Sequence, residues 1–300
     1  MTIPFPTKEG YIPFKGYQTW YQIVGEGEEP GKLPLLCLHG GPGATHDYLE
    51  SMSALAGTGR RVIFYDQLGC GRSHLNEPHP EMWTVELFVE EINAVRQALG
   101  LDRVHMLGQS WGGMLLMEYL LTQPTGVASA TIHSSPASMK QWVDEANRLR
   151  GELPPEIRDA LDRHEAAGTL TDPEYLAATD EFYNRHVCRV PQPDYVKRSF
   201  AFIGEYPEVY NTMNGPNEFH VVGTLKTWDI RHRLGEIKAP TLVLSGRHDE
   251  ATPLIAGTVA EGIPGAKWVI FEESSHMAHV EEPERFVQVM TDWLKENDPA

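Results

Sequence analysis

Six short apolar runs constrain the fold of this chain most: Leu35 to Leu38, Val62 to Tyr65, Val104 to Leu107, Ala128 to Ile132, Thr241 to Leu244 and Trp268 to Phe271. Each stops at a turn rich in Gly, Asp, Ser or His, and runs of this kind suit strands buried on both faces of a parallel sheet. Between them, stretches such as Val85 to Leu99 and Pro283 to Leu294 carry apolar residues at helical spacing. The alternation predicts an α/β fold with a doubly wound, mostly parallel sheet. Upstream, the segments YIPF and TWYQIVG read as an antiparallel hairpin added to its edge. From Pro136 to about Thr227 the strand signal disappears, and the chain turns charged and helical, broken at Pro154-Pro155, Pro173 and Pro191. The expected organisation is a core of residues 1–136 and 228–300 with a helical cap domain inserted at residues 137–227. No internal repeat or low-complexity tract is visible.

Composition narrows the functional classes. Hydrophobic residues at 41% and charged residues at 22% are normal for a globular protein, and no apolar run has the length of a membrane span. The opening MTIPFPTKEGYIPF lacks a basic segment followed by an apolar one, so the expected location is cytoplasmic. Cys37, Cys70 and Cys188 are widely spaced without metal-ligand spacing, which favours reduced thiols. Cys37 and Cys70 adjoin apolar strands and read as packing residues. A formal charge of −17 argues against nucleic acid or an anionic membrane as partner, because phosphate binding requires a basic face. Acidic surface is usually a solvation device; it favours a cationic substrate only where carboxylates stand in the site. Nothing in the pattern specifies an oligomeric state.

One stretch points to chemistry. In HMLGQSWGGMLLMEYL, residues 105–120, Ser110 sits between Gly108 and Gly112-Gly113 at the corner of a strand-turn-helix. Gly and Ser are ordinary turn residues, so a plain connection competes with a second reading. The spacing Gly108-x-Ser110-x-Gly112 also matches a nucleophile elbow, where a strained turn projects the Ser hydroxyl from the sheet. The helix that follows points unpaired N–H groups at any anion formed there.

Partners for Ser110 belong at the carboxyl ends of the strands. After Thr241 to Leu244 comes SGRHDEATP with Asp249 and Glu250; after Trp268 to Phe271 comes EESSHMAHVEEPERF with His276 and His279. Singly, Asp249 could be a turn or capping residue and His276 a loop histidine. Together, in the order Ser110, Asp249, His276, they match a nucleophile, an orienting acid and a base. HGGPG, residues 39–43, follows Leu35 to Leu38 and offers a loop of little side-chain bulk. The N–H groups of Gly41 and Trp111 are the expected oxyanion-hole donors, against the plainer reading of a Gly-Pro turn. Asp66 and Arg72 in DQLGCGRS read as a loop brace.

HGGPG, DQLGCGRS, GQSWGG (108–113), MNGPNEF (213–219), GRHDEATP (246–253) and SSHMAHVEEPE (274–284) together resemble the proline iminopeptidases of the α/β-hydrolase serine peptidases, over nearly the whole chain. A lone G-x-S-x-G would be shared with lipases and esterases. The resemblance implies an α/β-hydrolase fold with a helical cap and a triad of Ser110, Asp249 and His276, with His279 as runner-up base. It also implies that the family's amine-binding carboxylates fall on Glu218 and Glu250. By themselves, Glu218 reads as a solvated cap residue and Glu250 as a loop charge.

The function expected is that of a serine aminopeptidase, free of metal and cofactor, which releases an N-terminal residue, preferentially proline, from short peptides, amides or arylamides through an acyl-enzyme. An amino-acid amidase or esterase with the same triad is the alternative, and a non-catalytic receptor of the same fold a further one. An epoxide hydrolase or dehalogenase is disfavoured, since its elbow would carry Asp at the place of Ser110.

Overall fold

The computed structural model describes residues 4–299. Strands form where the apolar runs fall: β1 (Thr7–Phe14), β2 (Tyr17–Val24), β3 (Leu35–Leu38), β4 (Val62–Tyr65), β5 (Val104–Gln109), β6 (Val127–His133), β7 (Thr241–Gly246) and β8 (Lys267–Phe271). Their order across the sheet is β1-β2-β4-β3-β5-β6-β7-β8. β1 and β2 make the antiparallel hairpin at one edge, and all pairs from β4 to β8 are parallel. β5 and β7 run two residues beyond their apolar patterns, because pairing continues through Gln109 to His133 and Gly246 to Phe271. A ladder needs backbone groups, not apolar side chains, so polar residues at the strand ends hide the last rungs from a pattern search.

The helices are α1 (Val85–Ala98), α2 (Trp111–Leu121), α3 (Met139–Gly151), α4 (Pro155–Ala167), α5 (Pro173–His186), α6 (Asp194–Glu205), α7 (Glu208–Met213), α8 (Pro253–Gly262), α9 (Ala278–Glu281) and α10 (Pro283–Asn297). Pro155 and Pro173 sit in first turns, where a missing N–H costs no helical bond. One face of the sheet is covered by α1, α2 and α8, with Phe88, Leu115 and Ile255 in a shared core. The other packs on the 3-10 segment His46–Thr58 and on α10, through Leu49, Met52, Phe286 and Trp293. The helices between β6 and β7 have an apolar cluster of their own, including Leu161, Tyr175, Phe182 and Phe219. Cys37, Cys70 and Cys188 are free and buried. Among the described residues no helix is long and apolar enough to cross a membrane.

This core holds titratable groups whose shifts make a prediction. Burial lowers His39 and His105 to about 4 and His279 to about 3, and pushes His133 well below the usual imidazole value. In the unfolded chain these side chains take up a proton near pH 6.5, so their contribution is complete above that pH and is withdrawn as pH falls toward the folded values. Glu91 acts in the opposite sense. Burial raises it to about 8, so from pH 8 down to its ordinary 4.5 acidification relieves its cost. Burial opposes charge on Asp298 as well, but hydrogen bonds from Arg60 and His105 outweigh it and hold Asp298 at about 2. Its contribution is lost as pH falls from about 3.8 toward 2. The urea midpoint should therefore fall steeply from pH 6.5 to 4.5, four histidines outweighing one glutamate, with each excess proton on the unfolded state worth about 1.4 kcal/mol per pH unit. A midpoint that stays level down to pH 3.5 would contradict neutral buried histidines.

Candidate active site

β5 ends at Gln109, α2 begins at Trp111, and Ser110 makes the corner with φ 58° and ψ −124°. A non-glycine residue in this region stores about 1–3 kcal/mol of strain. The surroundings impose it. The Ser110 N–H donates to the His133 carbonyl at 2.9 Å, and the Ser110 carbonyl accepts from Gly113 and Met114 N–H. Glycine is required on both sides by close approach: a Cβ on Gly108 would lie 2.1 Å from the Gly112 carbonyl oxygen, and one on Gly112 would lie 2.2 Å from that of Leu38. The turn thus packs directly on β3.

Asp249 follows β7 and is buried, and its Oδ1 accepts from His276 Nδ1 and from Ala251 N–H, each at 2.8 Å. Gly246 N–H reaches its other oxygen at 3.3 Å. With the Nδ1 proton directed at Asp249, His276 presents Nε2 as its basic nitrogen. Ser110 and His276 line one cavity of about 470 Å³. His279 does not line that cavity; it is buried, and its Nε2 donates to the Tyr48 carbonyl at 3.1 Å.

The HGGPG loop leaves β3 directly opposite the elbow. A Cβ on Gly40 would stand 3.0 Å from Ser110 Cβ, and Gly41 lines the cavity. Gln67 ties this loop to α2: its N–H donates to His39 Nε2, its side-chain amide donates to the His39 carbonyl at 2.8 Å, and its Oε1 accepts from Trp111 Nε1 at 2.9 Å. Among the described residues, neither Gly41 N–H nor Trp111 N–H donates to another group of the protein.

The remaining groups come from the segment between β6 and β7 and from the loop after β7. MNGPNEF is braced by Asn217 Oδ1, which accepts from His220 N–H at 2.9 Å, and by Trp142 Nε1, which donates to the Glu218 carbonyl at 2.7 Å. Glu218 thereby faces the cavity, where Tyr210 OH donates to its Oε1 at 2.5 Å. Glu250 is buried, anchored by its N–H on the His186 carbonyl at 3.1 Å, with Oε1 3.7 Å from His276 Nε2. Its Oε2 is buried without a hydrogen-bond partner. Burial raises both carboxyls: Tyr210 and His276 partly offset this for Glu218, while the charges of Glu218 and Asp249 add to it for Glu250. Among the described residues no Lys or Arg pairs with either.

Asp66 and Arg72 form a brace, with Asp66 accepting from Arg72 N–H at 2.9 Å and from His46 Nδ1 at 2.7 Å. Among the described residues two groups have the composition of metal ligands, His46 with Asp47 and Glu50, and His164 with Asp172 and Glu174. Arg198 occupies Asp47 and Glu50, Arg163 pairs with Glu174, and none of the six lines the cavity. Tyr48, Gln109 and Tyr210 escaped the sequence analysis. Tyr210 had a weak signal in lying eight residues before Glu218; Tyr48 and Gln109 meet partners 61 and 167 residues away, which spacing cannot reveal.

The alpha/beta hydrolase fold family matches residues 34–283. The chain is similar to a proline iminopeptidase of Lacticaseibacillus rhamnosus (strain Lc 705), with 44% identity covering 97% of this chain and 99% of that one. Among solved structures it is similar to the proline iminopeptidase of Mycobacterium smegmatis, at 50% identity and TM-score 0.91. It is also similar to VinJ, at 45% identity and TM-score 0.93. Each match covers 97% of this chain and 99% of the other.

Proposed function

Because the chain belongs to the proline iminopeptidase family of the α/β-hydrolase fold, we propose that it releases N-terminal proline from short peptides, amides or arylamides through an acyl-enzyme on Ser110. One observation carries the choice of substrate: among the described residues, Glu218 and Glu250 stand without a Lys or Arg partner in the cavity that holds the nucleophile and base. A buried carboxyl in that position is completed by a cation, and prolyl substrates bring one in their secondary ammonium group.

With the ammonium held there, Ser110 Oγ attacks the prolyl carbonyl while His276 Nε2 takes its proton. Asp249 stabilises the imidazolium, and Gly41 and Trp111 N–H hold the oxyanion. His276 then returns the proton to the leaving amine. Water, deprotonated by the same base, cleaves the ester and frees proline. Leu176, Phe200 and Ile203 of α5 and α6 also line the cavity and add apolar surface to it. Residues 137–227 act here as a cap domain over the core of 1–136 and 228–300. A cytoplasmic location belongs to the same proposal, supported by the three free thiols.

The test compares Pro-arylamide with its N-acetyl counterpart. The free imino substrate is expected to have a kcat/KM larger by about two orders of magnitude or more, in keeping with a site whose buried polar groups the blocked analogue leaves unpaired. Equal values would remove the amine-recognition role and leave a general esterase or amidase.

A further inference from the structure

Three catalytic parts of this site come from distant stretches of chain: the oxyanion loop after β3, the elbow after β5 and the His276 loop after β8. Two buried side chains outside the catalytic set join all three. Gly40 N–H donates to Tyr48 OH at 2.7 Å, Tyr48 OH donates to Gln109 Oε1 at 2.5 Å, and Gln109 Nε2 donates to the His276 carbonyl at 3.1 Å. We infer that Tyr48 and Gln109 are positioning residues that set the oxyanion loop and the base in one register around Ser110.

Proton bookkeeping makes this chain directional. The Gly40 amide can only donate and the His276 carbonyl can only accept. Tyr48 has one hydroxyl proton, which must go to Gln109 because its other neighbour is a donor. That fixes the Gln109 amide with Oε1 toward Tyr48 and Nε2 toward His276, and no flipped amide satisfies both ends. Burial raises the Tyr48 phenol and keeps it protonated, as the relay requires. Tyr48 and Gln109 are 4% and 1% exposed, so loss of one member leaves a largely buried polar partner short of a hydrogen bond.

The anchors are placed where small shifts matter. Gly40 adjoins Gly41, the proposed oxyanion donor, and a Cβ on Gly40 would meet Tyr48 Oη at 2.9 Å, so glycine lets the phenol reach the amide. His276 is held twice, its ring by Asp249 and its main chain by Gln109. Tyr48 is itself held from behind by His279, whose Nε2 donates to its carbonyl. Gln109 adjoins Ser110 in sequence. Displacing either anchor misaligns groups that must converge on one tetrahedral centre.

The inference rests on Ser110, His276 and Gly41 acting as proposed, and the experiment separates the two. Active sites of the full chain are counted with a serine-reactive phosphonate, and kcat per titrated site is measured on Pro-arylamide for the parent, Tyr48→Phe, Gln109→Met and the double variant. Each single change is expected to lower kcat about tenfold or more with KM within about twofold, a loss confined to transition-state stabilisation. The double variant should lose little beyond the worse single, because one relay is broken once. Failure of the phosphonate to label the parent at Ser110 overturns the serine mechanism and the inference with it. Normal labelling of the parent with kcat per site unchanged in the variants, or with losses that simply multiply, overturns the relay alone. Fewer titratable sites, each turning over at the parental rate, would also overturn it, showing a contribution to folding only. Should Tyr48→Phe yield no titratable enzyme, Gln109→Met decides, since it leaves the Tyr48 hydroxyl on Gly40 and cuts the arm to His276.

Discussion

Ser110→Ala and His276→Ala are each expected to lower kcat on Pro-arylamide by on the order of 10⁵- to 10⁶-fold, with KM little changed. The nucleophile and its base act as one unit, so removing both should cost scarcely more than removing one. Asp249→Asn should cost about 10⁴-fold, because an amide in place of the carboxylate favours the wrong imidazole tautomer and withdraws the charge that stabilises imidazolium. The folded geometry supplies the reason: both the His276 Nδ1 and Ala251 N–H protons are directed at one Asp249 oxygen. His279→Ala, by contrast, removes a donor to the Tyr48 carbonyl and should act on stability more than on chemistry. Steady-state kinetics on the four variants checks this. Full activity in His276→Ala with loss in His279→Ala would reverse the choice of base.

The second large effect concerns the two glutamates. Glu218→Gln and Glu250→Gln are each expected to lower kcat/KM for Pro-arylamide by about 10- to 100-fold, the loss of a charge-assisted hydrogen bond of about 1.5–3 kcal/mol. N-acetyl-Pro-arylamide should respond little, so the ratio between the substrates falls toward one. The raised carboxyls add a pH dependence. Below its raised pKa a glutamate is neutral and cannot hold an ammonium ion; above it the charge is present, so kcat/KM rises with pH through that range and both variants should flatten the acid limb. A ratio and an acid limb that match the parent in both variants would exclude Glu218 and Glu250 from recognition.

Legibility in the sequence followed the range of the interactions involved. The strand positions, the edge hairpin, the elbow and the order Ser110, Asp249, His276 were readable because each rests on neighbours: apolar residues with the period of a strand, glycines flanking a tight turn, and the tendency of strand ends to carry function. The resemblance supplied Glu218, since spacing gives no reason for residue 218 to approach residue 110. The folded chain adds a physical reason for preferring His276 to His279 as the proposed base. His276 and His279 stand three residues apart in one loop, and what separates them is that one faces Asp249 and the cavity while the other is buried on the Tyr48 carbonyl. Burial likewise decided the electrostatics, turning Glu218 and Glu250 from ordinary acids of the chain into raised carboxyls. Desolvation and hydrogen-bond direction depend on every atom that surrounds a group, and for Tyr48, Gln109 and the two glutamates those atoms come from segments that only the tertiary structure brings together.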